Sequence, residues 1–224
     1  MSYKIVDVEQ YYRRGVFRHF TEDCRCSTSI TYRVDVTDLL DWSRKTGTKF
    51  YINFLYVLTK VLNSREDYRL AWRYDTRQLI AYDQINPTQY IFHDDTETFT
   101  IAYTLYDPDY QTFYQRALHD MEQAKETREY GLDPANHPNW FDASCIPWIA
   151  YGSLTIELPD GHLYFNPIIN WGRYCEENGR MKMPVSVRMN HAVADGYLVA
   201  RVFVLLEQEM KALCKQSGKE TLTA

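Results

Sequence analysis

The sequence is poor in glycine and proline and has no long apolar run, and each shortage excludes a class of protein. With 9 glycines and 8 prolines among 224 residues, the chain is not collagen-like, mucin-like or disordered. Its most apolar run, residues 50–58, is too short and too polar to span a bilayer. The first residues contain no apolar segment of the signal-peptide type. We therefore expect a cytoplasmic protein that does not insert into a membrane.

Runs of like charge and metal-binding motifs are also missing. The net charge is −5, and no block of five or more like charges occurs, so nucleic acid and acidic membrane surfaces are not expected partners. Only one residue separates Cys24 from Cys26, whereas a zinc knuckle needs two to four. The five cysteines are therefore expected to be reduced thiols. No metal is expected, because ligand spacing is also missing around the remaining histidines, His19, His93, His119, His137 and His162.

Apolar and aromatic residues are abundant, at 45% and 15% of the chain, and they are enough to build a core with aromatic walls. Residues 27–36 alternate, with Ile30, Tyr32 and Val34 on one side, which predicts a half-buried strand. A helix at 39–45 ending at Gly47 should follow, and then a more apolar helix at 50–63.

Further along the chain the patterns are shorter. They predict strands at 79–83 and 98–106 with Asn86-Pro87 as a turn between them, a helix from Pro108 to about 129, strands from residue 144 onward and at 183–190, and a last helix to about 214. Strands and helices in this order favour a two-layer α/β sandwich with a mixed sheet. No linker or repeat divides the chain, so residues 1–224 are predicted to form one domain.

The segment HAVADG, His191 to Gly196, lies where a strand is predicted to end and a helix to begin. Loops held between such elements often carry catalytic groups, and an imidazole can accept a proton near neutral pH. The same pattern fits a purely structural reading, in which His191 ends the strand and Asp195 caps the helix. The segment alone leaves both readings open.

Several segments together resemble the chloramphenicol acetyltransferases. HAVADG and its flanks PVSVRMN and YLVARVF are similar to that family's HHAVCDG signature, and further matches are FHDDTETF at 92–99, KFY at 49–51, SCIPW at 144–148 and YFNPI at 164–168. They follow the family order across almost all of residues 4–214. The resemblance implies the family's α/β sandwich, assembled as a homotrimer whose active sites lie between subunits.

The resemblance also implies roles for four residues. His191 would be the general base that activates an acceptor hydroxyl for attack on acetyl-CoA, and Ser144 would stabilise the oxyanion. Asp195 would pair with Arg13 and shape the His191 loop, although Arg14 and Arg18 remain rival partners. No cofactor is bound permanently, and acetyl-CoA is a co-substrate.

Two sets of binding residues follow from the same alignment. The chloramphenicol pocket would be lined by Phe20, Cys26, Thr28, Ile156, Tyr164 and Asn170, and CoA would contact Lys49, Tyr51, Trp148 and Tyr174. The chain departs from the family at Asn190 and Ala194, which replace a His and a Cys of the signature. Thr28 and Asn170 also differ from the usual pocket residues, which places the identity of the acceptor in question.

Two alternatives to chloramphenicol acetylation stay open. The first is an acyltransferase for another hydroxyl acceptor, since dihydrolipoamide acyltransferase cores share the sandwich and the H-x-x-x-D-G pattern. The second is a protein that binds an aromatic ligand or CoA without catalysis. Thiol release from acetyl-CoA that depends on His191 distinguishes both enzymes from the binding protein.

Overall fold

A mixed β-sheet with helices packed on one face forms the centre of the molecule in a computed structural model that describes residues 2–158 and 162–220. The helices are α1 Arg14–Arg18, α2 Thr37–Thr46, α3 Phe50–Asn63, α4 Tyr110–Lys125 and α5 Gly196–Glu220. The strands are β1 Tyr3–Ile5, β2 Ser27–Asp35, β3 Leu70–Arg73, β4 Gln78–Tyr82, β5 Asn86–His93, β6 Thr98–Tyr103, β7 Trp140–Ile146, β8 Ile168–Gly172, β9 Cys175–Glu177 and β10 Arg180–Asn190.

The large sheet has the strand order β2-β10-β8-β7-β5-β6, with β9 paired to β10. Strand β7 is parallel to both β5 and β8, whereas the other pairs are antiparallel. The sheet is therefore mixed, and the predicted α/β sandwich with a mixed sheet is confirmed.

Alternation along β10 gives the large sheet two different faces. Val185, Val187 and Met189 belong to the main core cluster together with apolar residues of α3 and α5. Ser186 and Arg188 lie between them in the sequence and therefore point to the opposite side. We call that side the polar face.

The helices that cover the other face follow from local sequence. Asp35 accepts hydrogen bonds from the backbone N–H and the hydroxyl of Thr37, so α2 begins there. It ends at Gly47, whose φ of 66° is left-handed and favours glycine. Helix α3 is buried along most of its length, as its continuous apolar pattern predicts.

A second, three-stranded sheet with the order β1-β4-β3 supports the loop after β10. Its buried residues Leu70 and Leu79 form a small cluster with Phe17 of α1. Ala192 and Val193 are buried in the same cluster. The backbone next to His191 is thus held by packing that is separate from the main core.

Some element boundaries differ from the predictions. Asn86 and Pro87 begin β5 and do not form a turn; proline is tolerated there because the first residues of a strand need fewer ladder hydrogen bonds. Strand β7 starts before residue 144 and ends soon after it, helix α4 is shorter than predicted at both ends, and α5 continues past residue 214. Aromatic residues in the loop after β7 had extended the predicted strand.

Among the helices within the described ranges, none combines the length and apolarity that a membrane crossing needs.

Candidate active site

The loop that follows β10 holds His191 in a defined position. Its backbone N–H donates a hydrogen bond to the carbonyl of Cys26 at 3.0 Å, and its ring stacks on Phe20 with centroids 3.8 Å apart. Phe20 is presented by a π-helical turn, residues His19–Asp23, directly after α1. The ring is half-buried, and among the described residues its buried Nδ1 has no hydrogen-bond partner.

Asp195 links the same loop to the N-terminal segment. One of its carboxylate oxygens accepts a hydrogen bond from the backbone N–H of Leu198 at 3.0 Å, at the start of α5. The other accepts from the Arg13 guanidinium at 2.8 Å. Of the candidate arginines, Arg13 is therefore the one in contact with Asp195, while Arg18 pairs with Glu9.

The two partners of this ion pair differ in exposure. The side chain of Arg13 is 12% exposed and that of Asp195 is 36% exposed. Burial by itself would raise the pKa of Asp195, but the Arg13 guanidinium and the Leu198 N–H hold that pKa below its usual range. The carboxylate is thus ionised, and it braces the turn that carries His191.

Ser144 lies in a cavity on the polar face of the sheet. We call this space, of about 430 Å³, the Ser144 cavity; its walls are Tyr90, Phe92, Phe99, Asp142, Ser144, Cys145, Ile146, Trp148, Ile156, Leu158, Tyr164, Ile168 and Asn170. Ser144 on β7 is directly opposite Asn170 on β8, and paired residues share a face. The cavity unites five predicted site residues, which are Ser144, Trp148, Ile156, Tyr164 and Asn170.

A half-buried carboxylate, that of Asp142, lies in the same cavity, two residues before Ser144. The two oxygens of Asp142 accept hydrogen bonds from the hydroxyls of Tyr90 and Tyr164, each at 2.7 Å. Burial raises the pKa of Asp142 despite these hydrogen bonds, and it also raises the pKa of both tyrosines. Polar groups are therefore fixed among otherwise aromatic and aliphatic walls.

His191 and Ser144 are far apart within one chain. Ser144 is opposite Asn170, and Asn170 is opposite Ser186 on β10. Two steps of about 4.8 Å across strands and five residues of about 3.3 Å along β10 separate the two Cα atoms by roughly 19 Å. A substrate atom cannot contact both side chains of the same subunit.

The remaining predicted pocket residues lie near His191. Phe20 stacks on its ring, and Cys26 accepts from its backbone. Thr28 pairs with Met189 and so lies on the helix side of the sheet, away from the Ser144 cavity of its own chain. The part played by these residues in binding stays a prediction.

The predicted CoA residues other than Trp148 lie on or beside α3. Lys49 is exposed immediately before the helix. The ring of Tyr51 packs on Trp171 with centroids 5.6 Å apart, and its hydroxyl is buried without a partner among the described residues. Tyr174 packs on Phe50 of the same helix.

Sequence reasoning missed Tyr90 and Asp142 as site residues. Alternation in the segment that includes Tyr90 and Phe92 was available as a signal, but reading Asn86-Pro87 as a turn removed this strand from the sheet. Asp142 stands two residues before Ser144 and therefore shares its face of β7. In the part of the chain that the structure describes, no three His, Cys, Asp or Glu side chains converge as metal ligands would.

Comparison with known sequences gives a consistent result. A family model described as chloramphenicol acetyltransferase matches residues 1–207. A chloramphenicol acetyltransferase of Vibrio anguillarum is 33% identical over 221 residues, which is 98% of this chain and 100% of that protein. Chloramphenicol acetyltransferase 3 of Escherichia coli is 32% identical over 211 residues, covering 93% of this chain and 97% of that protein.

Solved structures share the fold at lower sequence identity. A chloramphenicol acetyltransferase superimposes with a TM-score of 0.80 and 22% identity, covering 93% of this chain and 100% of that one. A truncated catalytic core of the 2-oxoacid dehydrogenase multienzyme complex from Thermoplasma acidophilum superimposes with a TM-score of 0.64 and 16% identity, covering 93% and 98%.

Proposed function

Because the chain belongs to the chloramphenicol acetyltransferase family and is therefore an acyltransferase, we propose that it moves the acetyl group of acetyl-CoA to a hydroxyl of chloramphenicol. The main support for this proposal is that the structure contains two preformed parts of a catalytic site. One is a braced loop bearing His191, and the other is a mostly apolar cavity with Ser144 at its wall. An aromatic acceptor needs such walls together with a few polar anchors.

In the proposed mechanism His191 acts as the general base. A ring nitrogen takes the proton of the acceptor hydroxyl while the oxygen forms a bond to the thioester carbonyl carbon of acetyl-CoA. When the resulting tetrahedral species collapses, the carbon–sulfur bond breaks and the same proton passes to the CoA sulfur. Stacking on Phe20 and the hydrogen bond to Cys26 support this role, because both restrict the ring before substrate binds.

Ser144 would donate a hydrogen bond to the oxyanion of that tetrahedral species. A donor placed in advance, in a site with little water, stabilises the transition state more than the ground state. Asp195 and Arg13 would act indirectly, by fixing the turn that carries His191. Lys49, Tyr51, Trp148 and Tyr174 would contact CoA.

We also propose that the active form is a homotrimer in which His191 of one subunit faces Ser144 of the next. The separation of roughly 19 Å within a chain supports this, since the step above needs both groups at one reacting carbon. A closed ring of three subunits would provide three equivalent sites. Sedimentation should therefore give a species three times the 26.6 kDa mass of the chain.

Thiol release from acetyl-CoA in the presence of chloramphenicol tests the function. We expect turnover by the wild type, loss of turnover in His191→Ala, and no effect of His119→Ala, which removes an exposed histidine on α4. Turnover only with another alcohol would retain the mechanism and change the acceptor. Binding of chloramphenicol without thiol release from any acceptor would contradict catalysis and favour the binding-protein alternative.

A further inference from the structure

Arg188 is a buried arginine on the polar face of the sheet. It is 6% exposed, and one guanidinium nitrogen, Nη2, donates to the Ser27 hydroxyl at 2.5 Å. A second, Nη1, makes a long contact of 3.5 Å with the carbonyl of Tyr164. Its Nε is buried and has no hydrogen-bond partner in the described part of the chain. Among the described residues, no carboxylate lies within ion-pair distance of Arg188.

A buried cation without a counter-ion is costly to the folded state. Removing a guanidinium from water is offset only when an anion and complementary hydrogen bonds replace that water. Burial lowers the pKa of Arg188, yet an arginine side chain keeps its proton at neutral pH. The hydroxyl of Ser27 and one distant carbonyl satisfy only part of the donor capacity of this group.

Arg188 also lines a cavity that adjoins the Ser144 cavity. This space of about 260 Å³, which we call the Arg188 cavity, is lined by Ser27, Ser29, Ile156, Arg188 and Asn190, among others. The exposed ionisable residues Arg25, Glu157 and His162 also line it. Ile156 is a wall of both cavities. Through Ile156 and Leu158, the cavity that Arg188 lines therefore adjoins the proposed acceptor site around Ser144 of the same chain.

The register of the sheet also places Arg188 next to the residues of the Ser144 cavity. Arg188 is directly opposite Ile168, and Ile168 is directly opposite Asp142. The carboxylate of Asp142 acts on Arg188 electrostatically. Among the described residues it forms no ion pair with Arg188, and its oxygens accept hydrogen bonds from two tyrosine hydroxyls. The row across the sheet thus presents a fixed cation beside the proposed acceptor pocket.

We propose that Arg188 is a specificity residue that binds a carboxylate on the acceptor, so that a hydroxyl compound carrying a carboxylate binds more tightly than a neutral compound of the same shape. This inference rests on the proposed acyl transfer and names the acceptor class for the same site. A planar guanidinium with N–H donors left over matches the geometry of a carboxylate. The hydroxyl to be acetylated would then lie toward His191 of the partner subunit.

The phosphates of CoA are a second source of negative charge, but their proposed contacts lie elsewhere. Tyr51 packs on Trp171, whose partner in the register is Val185 on the helix side of the sheet. Arg188 points to the opposite side. We therefore assign the anion to the acceptor, and the KM for acetyl-CoA distinguishes the two sources.

The test uses matched pairs of chloramphenicol analogues. In one pair a carboxylate or a neutral carboxamide replaces the nitro group, and in the other a carboxylate or a carboxamide ends the amide arm. Binding is measured by calorimetry, and turnover by thiol release, for the wild type, Arg188→Gln and Arg188→Lys. Arg44→Gln, at an exposed position on α2, is the control.

We expect the wild type to bind at least one carboxylate analogue more tightly than its carboxamide. Arg188→Gln should weaken binding of that carboxylate by about 10- to 100-fold, and Arg188→Lys should weaken it less. Arg188→Gln should leave the KM for acetyl-CoA within about threefold of the wild type, because CoA is not expected to use this cation. The control Arg44→Gln should leave chloramphenicol turnover unchanged.

Several results would overturn the proposal. The first is that the wild type binds each carboxylate no more tightly than its carboxamide. The second is that Arg188→Gln weakens binding of charged and neutral ligands equally. The third and fourth are that Arg188→Gln selectively raises the KM for acetyl-CoA, or that it no longer forms the oligomer. The last would show that Arg188 pairs with a neighbouring subunit. If the wild type turns over no acceptor, the acyl-transfer proposal fails, and calorimetry still decides whether Arg188 binds the carboxylate.

Discussion

At the scale of the residue, one step along β7 separates two very different environments. Ser144 is a wall of the Ser144 cavity, on the polar face. The next residue, Cys145, packs against the main core, and burial raises the pKa of its thiol to about 12. Cys145 is opposite Trp171 of the main core, and Ser144 is opposite Asn170 of the cavity. The hydroxyl of Ser144 is therefore the donor that this part of the strand presents to the cavity.

Replacing Ser144 should lower the rate more than the affinity. For Ser144→Ala we expect kcat to fall by about 100- to 1,000-fold, because a hydrogen bond to the oxyanion exists only near the transition state. The KM values should change little. Steady-state thiol release measures both, with Ser153→Ala as a control at an exposed position of the following loop. A loss confined to KM would instead show that Ser144 holds the ground-state acceptor.

At the scale of the element, hydrophobic periodicity predicted a helix well, whereas the Asn86-Pro87 pair was a misleading turn signal. Helix α3 was predicted with its observed limits, because fourteen residues of continuous apolar pattern admit no other structure. Pro87 was misread as part of a turn because its partner in the sheet is Phe141 of β7, which lies far along the chain. The local sequence around Pro87 does not identify that partner.

The ion pair between Arg13 and Asp195 should stabilise both a helix start and the loop. Asp195→Asn keeps a cap for the Leu198 N–H but loses the charge, and because the carboxylate is partly exposed we expect a loss of about 1–2 kcal/mol. Asp195→Ala removes the cap as well and should cost about 1 kcal/mol more. Urea unfolding at neutral pH measures both differences. Equal stability of the two variants would contradict the capping role.

The contribution of Asp195 should also depend on pH. Its pKa is lower in the folded protein than in the unfolded chain, where it is about 4. The stabilisation is therefore complete above the unfolded pKa and is lost as the pH falls through the folded pKa. The stability difference between wild type and Asp195→Asn should be constant from pH 5 to 7 and should shrink below about pH 4.

Two glycines with left-handed backbones should respond differently to alanine. Gly47 ends α2 with open space around it, so Gly47→Ala should cost about 1 kcal/mol from backbone strain alone. At Gly131, with φ of 83°, a Cβ would lie 2.4 Å from the carbonyl oxygen of Ile101 in β6. Gly131→Ala should cost about 2–3 kcal/mol, because backbone on both sides must move. Thermal unfolding compares the two, and equal losses would contradict the close approach.

At the scale of the whole molecule, sequence reasoning reached the fold class but not the arrangement of strands. Alternation identified β2 and β10 separately, yet nothing in either segment specifies that they are neighbours or that β7 lies parallel to β8. The separation of His191 from Ser144 is a consequence of that order. Resemblance to a family supplied an expected arrangement between subunits, and the strand order supplies the physical reason for it.

If each active site lies between two subunits, two inactive variants should restore each other. His191→Ala subunits keep Ser144, and Ser144→Ala subunits keep His191, so a mixed ring contains one site with both groups. Random assembly of an equal mixture makes three-quarters of the trimers mixed, and one site in three of these complete, so about a quarter of wild-type activity should return. The variants are unfolded and refolded together, and thiol release is compared with that of each variant refolded alone. A mixture of the two separately refolded trimers is the control and should stay inactive, since its subunits have not exchanged. Absence of recovery in co-refolded trimers would show that His191 and Ser144 do not meet across the interface.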